Sequence, residues 1–276
     1  MRQTWSKALT NPYFVIGSVM IALLLILMAW GMAGPPHDPN FIDMSQSSQP
    51  PGPQHWFGTD TLGRDVFSRV LAAAKNAFGT GLLSTVISLF LGCLLGLISG
   101  FSRPAADALL TRMMDVMRCI PNLLFAMMLI ALFGAGFFNT VAAICFINIP
   151  NFYRITRGSV LQIKSREYVT WARLAGIPFW RTVLTHILPN ILSPIIVMTS
   201  MTMAQAVLTE TSLSYLGLGI QPPDPSWGQM LADAQRNILT APWEALSVGV
   251  CISLLVLGFN LLGDGIRDVL DPKQKR

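Results

Sequence analysis

Between Cys119 and Tyr153 the chain carries no charged residue. As one α-helix that run would measure about 50 Å, far more than the roughly 30 Å of a bilayer's hydrocarbon core. It has to turn, and Gly134-Ala-Gly136 supplies the backbone freedom, so the break is set at Phe137 to Asn139. Further uncharged or nearly uncharged runs extend over Tyr13 to Ala33, Ala77 to Phe101, Ile187 to Thr209 and Ala245 to Gly263. Only 12% of residues are charged, against roughly 25% in soluble domains. The pattern predicts an all-α integral membrane protein with six transmembrane helices.

Orientation follows from the basic residues. If the N-terminus lies in the cytosol, every Lys and Arg except Arg64, Arg69, Lys75 and Arg236 falls on the inner side, as the positive-inside rule requires. Both termini are then cytoplasmic, the chain is multi-pass in the cell (inner or plasma) membrane, and its partners include the lipid bilayer. The net charge of +5 is accounted for by this asymmetry, so no nucleic acid partner is expected. The uncharged run from Ala8 to Pro36 is too long for a cleaved signal peptide and reads as an anchor. The chain divides into residues 1–76 (N-terminus, first span, proline-rich outer segment), 77–264 (five spans) and a cytosolic tail, 265–276.

The densest charge lies between spans. Arg154, Arg157, Lys164, Arg166, Arg173 and Arg181 form a basic, helix-forming hairpin that suits a soluble partner. Ser165 offers an N-cap, Gly176 a left-handed C-cap and Pro178 the start of a second helix. Tyr168, Trp171, Ala172 and Ala175 share one helical face, expected toward the membrane domain, with Arg166, Thr170 and Arg173 opposite.

Several chemistries find no support. Cys93, Cys119, Cys145 and Cys251 are scattered singly, and His37, His55 and His186 show no ligand spacing. His37 and His55 read as solvated loop residues, His186 as a polar helix end, and Met113, Met114, Met117, Met127 and Met128 as packing. No metal site and no catalytic residues are expected. The sequence contains no Gly-x-x-x-x-Gly-Lys-[Ser/Thr] loop, so any ATP chemistry belongs to a partner.

With Gly176 and Leu188-Pro189 aligned, the hairpin resembles the coupling loop of importer-type ABC permeases, with Thr170, Trp171 and Ala172 where that family has Glu-Ala-Ala. The acidic residue is missing; Glu167 lies one turn earlier. Outside the hairpin, His55-Trp-Phe-Gly58-Thr59-Asp60-Thr-Leu-Gly63-Arg64-Asp65-Val-Phe-Ser-Arg69 resembles the external signature of the dipeptide, oligopeptide and nickel branch, in its second permease subunit. Glu210 to Gly219 with Gly217, then Pro222-Pro223-Asp-Pro-Ser-Trp227-Gly228, and Asn260 to Pro272 with Asp264, Arg267 and Asp268, resemble the same branch.

The resemblance implies the type I ABC importer permease architecture and a coupling loop at 158–188 that includes Glu167, Thr170, Ala172, Arg173, Gly176, Leu188 and Pro189. It also implies a homologous second permease subunit, two nucleotide-binding ATPase subunits carrying ATP and magnesium, and an extracytoplasmic solute-binding protein. No cofactor is bound by this chain. The expected function is half of the path for di- or oligopeptides, with a nickel or metal-chelate importer as the alternative. A free-standing channel or secondary carrier is the rival class, but carriers place paired ionisable residues within their spans. In physical terms Gly58-Thr-Asp60 and Gly63-Arg-Asp65 suit tight turns with local ion pairs. Asp264, Arg267 and Asp268 suit pairing either with each other at the membrane edge or with the nucleotide-binding partner, while Glu210 reads either as an interfacial carboxylate in water or as a functional intramembrane charge.

Overall fold

The computed structural model describes residues 9–270; the side chains of Thr170, Ala172, Arg173 and Phe179, and the terminal Arg2, Lys7, Lys273, Lys275 and Arg276, lie outside the described residues. Among these residues the chain is helical, with one isolated antiparallel bridge, Thr59 to Asp65. The helices are α1 (Pro12–Ala33), α2 (Val66–Phe101), α3 (Pro104–Cys119), α4 (Asn122–Phe133) and α5 (Phe137–Lys164). There follow α6 (Glu167–Leu174), α7 (Phe179–Thr182), a π-turn (Val183–Ile187), α8 (Leu188–Tyr215), α9 (Trp227–Gln235) and α10 (Pro242–Leu270).

Four stretches are long and apolar enough to cross a membrane: α1, α2, Trp180–Tyr215 and α10. The bent pair α3 and α4, meeting at 90°, makes a fifth if it counts as one span. By length and composition alone the described residues thus give four or five of the six expected spans. The run after Cys119 begins with α4, whose 12 residues measure only about 18 Å. Pro121 forces the bend, because a residue before proline avoids the α conformation and Ile120 is extended (φ −94°, ψ 132°). The break before α5 falls at Gly134 and Gly136, with φ of 91° and 144°, so Phe137 already belongs to the next helix.

Helix α5 is long enough to span but less apolar, because it is enclosed by protein. Thr140, Asn148 and Thr156 are buried on it, and Asn148 Nδ2 donates to Ile144 O at 3.0 Å. Its main neighbour is α2, and the two backbones meet along Gly92, Gly96 and Gly100. A Cβ on Gly92 would lie 2.5 Å from Phe152 Cβ; on Gly96, 2.8 Å from both Thr156 Cβ and Tyr153 O; on Gly100, 2.6 Å from Val160 Cγ1. Small residues four apart let helices approach where lipid supplies no hydrophobic drive.

A second close approach joins the first helix to the last, where a Cβ on Gly17 would lie 2.6 Å from Leu262 N. The largest buried cluster includes Leu24, Phe78, Val207, Trp227, Met230 and Leu255, knitting α1, α2, α8, α9 and α10 together. Apolar side chains such as Leu82, Val86, Phe90 and Leu94 are exposed along one face of α2, as a lipid-facing surface requires. Both ends of the spans run further than expected: α2 begins at Val66 rather than Ala77, and α10 continues past Gly263 to Leu270.

Gly96→Leu should force α2 and α5 apart. Overpacking of this kind costs about 1–3 kcal/mol or more. Thermal unfolding of the purified chain should show a clear fall in Tm, whereas Gly249→Leu, where a Cβ meets open space, should leave it nearly unchanged.

Candidate functional site

Two polar constructions sit at opposite ends of the helices. The hairpin end is rooted in α5. Arg157 Nε and Nη2 donate to Asp107 Oδ1 and Oδ2 at 2.5 and 2.6 Å, a bidentate pair across α5 and α3. Ser99 on α2 donates to the same carboxylate and also contacts the Tyr153 hydroxyl at 2.7 Å, which reaches Thr111 at 2.8 Å. Lys164 Nζ donates to Gly100 O at 3.0 Å and lies 5.5 Å from the Phe101 ring centroid. Arg154 pairs with Asp115 at 3.4 Å on the exposed surface.

The basic handle expected from sequence is therefore partly internal: Arg154, Arg157 and Lys164 are engaged within the chain. Ser165 also differs from expectation. It ends α5, its hydroxyl donating to Gln162 O at 3.0 Å, and α6 starts at Glu167 instead. The aromatic face of α6 differs from expectation as well. Val169 is fully buried while Trp171 and Leu174 are about 70% exposed (69% and 73%). A helix this short is anchored by one buried valine, so its aromatic face points away from the membrane domain.

Gly176 has φ +72° with nothing within 4 Å of a Cβ. The turn therefore needs glycine for its backbone conformation, not for space. Trp180 on α7 is 71% exposed, close in sequence to the turn. Beyond it the helix widens: Leu188 N donates to Val183 O, five residues back, just before Pro189. Asn190 Nδ2 caps His186 O at 2.6 Å. Tyr168 meets His186 edge-on, ring centroids 6.2 Å apart, which links α6 to the π-turn.

At the opposite end, residues 34–65 fold into a cap over the start of α2. Gly58 and Gly63 take φ of +71° and +74°, and a Cβ on Gly63 would fall on Asp43 O. Asp60, buried, accepts from Leu62 N and Arg64 N at 2.9 Å each and from Arg64 Nε at 2.6 Å. Arg69 lies 3.7 Å from Asp60 and donates to Pro39 O at 3.0 Å. Asp65 caps α2 by accepting from Ser68 N at 2.8 Å. The Ser45 hydroxyl and amide hold the half-buried Asp43 carboxyl below its usual range. His55 is not solvated as expected: its ring bonds Asp65 Oδ1 at 2.8 Å and Gln46 Oε1 at 2.7 Å.

The segment around α9 locks onto this cap. Trp243 Nε1 donates to Thr59 O at 3.1 Å, and Asn76 Nδ2 to Pro225 O at 2.9 Å. Trp227 Nε1 donates to Val70 O at 3.2 Å, and Gly228 sits against Thr211 O, where a side chain has no room. Gly217 has φ +77°, a Cβ on Gly219 would collide with Ser214, and the Pro222–Pro223 peptide is cis. Glu210 is fully buried, which rules out its reading as a carboxylate in water. Its Oε1 accepts from Ser214 Oγ at 2.7 Å, and Ser214 in turn accepts from Ile220 N at 3.2 Å.

The expected Asp264 to Arg267 pair is not formed among the described residues. Asp268 instead accepts from Asn11 Nδ2 at 3.2 Å, joining the N-cap of α1 to the end of α10. Sequence reasoning missed Asp107, Ser99 and Tyr153. Their only signal was Asp107, an acid close to the start of α3, which needs a basic partner from elsewhere.

Residues 92–276 match the family described as binding-protein-dependent transport system inner membrane component. The chain is 38% identical to the glutathione transport system permease protein GsiD of Pectobacterium atrosepticum, covering 99% of this chain and 91% of that one. It is 41% identical to the probable D,D-dipeptide transport system permease protein DdpC of Escherichia coli, over 95% and 88%. To the di/tripeptide transport system permease protein DppC of Pseudomonas aeruginosa it is 40% identical, over 100% and 93%. In fold it resembles an inward-facing MetNI methionine ABC transporter, with a TM-score of 0.62 over 74% of this chain and 97% of that one, at 16% identity. The chain belongs to the binding-protein-dependent transport system inner membrane components, the permease subunits of ABC importers.

Proposed function

We propose that this permease forms half of a path for di- or oligopeptides. The observation that carries this reading is that relatives matching nearly the whole chain are named for a D,D-dipeptide, for di- and tripeptides, and for glutathione. A homologous second permease subunit supplies the other half. Two nucleotide-binding subunits hold ATP and magnesium, and an extracytoplasmic binding protein delivers solute. The charge asymmetry supports an orientation with both termini and the hairpin in the cytosol of a cell-membrane protein, and the cap outside. That orientation makes residues 158–188 the ATPase-coupling loop and residues 34–65 with 216–241 the docking side.

Coupling then has a physical route. A nucleotide-binding subunit grips the exposed Trp171 and Leu174, while Glu167 and the Gly176 turn set the angle between α6 and α7. Movement of the hairpin is passed to α2 through Lys164 and Gly100 O, to α3 through Arg157 and Asp107, and to α8 through the π-turn. The spans thus move as connected bodies, and the path opens to one side at a time. Solute choice resides chiefly on the binding protein.

The test of substrate class is to purify the assembled complex with its cognate binding protein and titrate that protein with di- and oligopeptides and with nickel chelates. Tight peptide binding is expected; indifference to peptides with tight chelate binding would overturn the peptide reading. For the hairpin, Gly176→Val should cost about 1–2 kcal/mol locally, because a branched residue resists the left-handed conformation. Uptake in proteoliposomes should fall at least tenfold while ATP hydrolysis persists, and Gly176→Asn should behave nearly as wild type. Normal uptake by a folded Gly176→Val complex would sink the coupling assignment. Asp107→Ala leaves Arg157 without its carboxylate and should cost about 1.5–3 kcal/mol, read as a lower Tm, with Asp107→Asn intermediate.

A further inference from the structure

The cap, at the opposite end from the coupling hairpin, gathers two histidines and a carboxylate whose clustering the transport reading above does not use. One ligand atom from each of His37, His55 and Asp65 lies within 4.8 Å of the others. His55 Nδ1 is 2.8 Å from Asp65 Oδ1, and His37 Nδ1 is 3.8 Å from Asp65 Oδ2. The two imidazoles lie with ring centroids 4.9 Å apart. They border a cleft of about 570 Å³ that Asp38, Asp43 and Gln46 also line.

Hydrogen bonding fixes the state of His55. Gln46 Nε2 donates to Asp43 Oδ2 at 3.0 Å, which turns its carbonyl Oε1 toward His55 Nε2 at 2.7 Å. That carbonyl only accepts, so the His55 proton sits on Nε2. Nδ1 then presents a lone pair to a carboxylate oxygen 2.8 Å away. A metal ion between that nitrogen and the carboxylate would take the place of a proton there. The surroundings are built to hold ligands still. Asp65 is fastened by Ser68 N, and the backbone amide of His37 donates to Ser68 Oγ at 3.1 Å, so one helix start positions two of the three groups.

We propose that His37, His55 and Asp65 form a binding site for one divalent transition-metal ion of the zinc class. Two imidazoles and a carboxylate are the donor set such ions prefer over magnesium or calcium. An ion about 2.1 Å from each donor holds tetrahedral ligand atoms about 3.4 Å apart; His55 Nδ1 lies closer than that to Asp65 Oδ1 and His37 Nδ1 somewhat farther from Asp65 Oδ2, so an ion is seated by small movements of the two rings against the carboxylate. Gln46 is the outer partner that orients His55. The fourth position opens on the cleft. The ion ties the segment after α1 to the start of α2, whatever solute the importer carries.

The experiment uses the full chain in lipid nanodiscs, purified without a histidine tag, stripped with chelator and equilibrated with Zn²⁺ in excess Mg²⁺ and Ca²⁺. Metal analysis should give one zinc per chain, and Zn²⁺ should raise Tm. His37→Ala, whose ring is 45% exposed and so separable from folding, should lose both effects, as should His55→Asn. Gln46→Met should weaken affinity about 10–100-fold, while His186→Ala should bind as wild type. A stripped, folded wild-type chain that takes up no zinc would assign the cation between His55 and Asp65 to a proton and overturn the site. Retention of zinc by folded His37→Ala would overturn it equally.

Discussion

The close contact between α2 and α5 is the constraint on which the rest of the permease depends. Lipid is as apolar as the helix surfaces, so these two helices gain little from hydrophobic burial against each other and must instead gain from contact distance. Gly92, Gly96 and Gly100 remove side chains along one line, and Phe152, Thr156 and Val160 fill that line. Because the backbones run so near, Ser99 on one helix reaches the Tyr153 hydroxyl on the other, and both reach α3 through Asp107 and Thr111. The glycine seam thus sets the position of Arg157, and through it the root of the hairpin. Buried polar atoms in this network are satisfied by one another, as a site shielded from water demands.

Much of the helical skeleton is legible in the charge gaps, because an uncharged run of spanning length has few alternatives in water. What the gaps conceal is how a run is divided. The stretch after Cys119 looks uniformly apolar, yet Pro121 bends it at 90° and α5 uses its apolar and polar residues against protein. Hydropathy weighs a buried asparagine such as Asn148 as if it met lipid, and so undervalues an enclosed helix. The early start of α2 escapes the same reading, since Asp65, a charged residue, is the cap that begins it.

The functional clusters divide by sequence distance. Gly58, Asp60, Gly63, Arg64 and Asp65 interact within a few residues, so their turns and ion pairs can be inferred from local chemistry. Gly176 is legible for the same reason. Arg157 looks like a free surface charge until Asp107, far earlier in the chain, is brought beside it by the helix seam. His37 is exposed as its loop position suggests, whereas His55 looks solvated until the cap folds it against Asp65 and Gln46. Trp171 looks like core because tryptophan usually is, and only the shortness of α6 leaves it outside.

The two ends are bonded differently, and the Leu188-Pro189 step sets the geometry of one of them. At the cap, long-range bonds such as Trp243 to Thr59 O and Trp227 to Val70 O join separate segments into one body. At the hairpin, proline deprives the helix of a donor and would clash with a carbonyl four residues back in a regular turn. Widening to a π-turn over Val183–Ile187 relieves that clash and leaves Leu188 N bonded five residues back. Side chains add bonds at both edges of the turn: Thr185 Oγ1 donates to Arg181 O in α7, and Asn190 Nδ2 to His186 O within the turn. The turn sits directly between α7 and membrane-spanning α8, where the proposed coupling motion would have to pass, while the seam of α2 and α5 lies outside it.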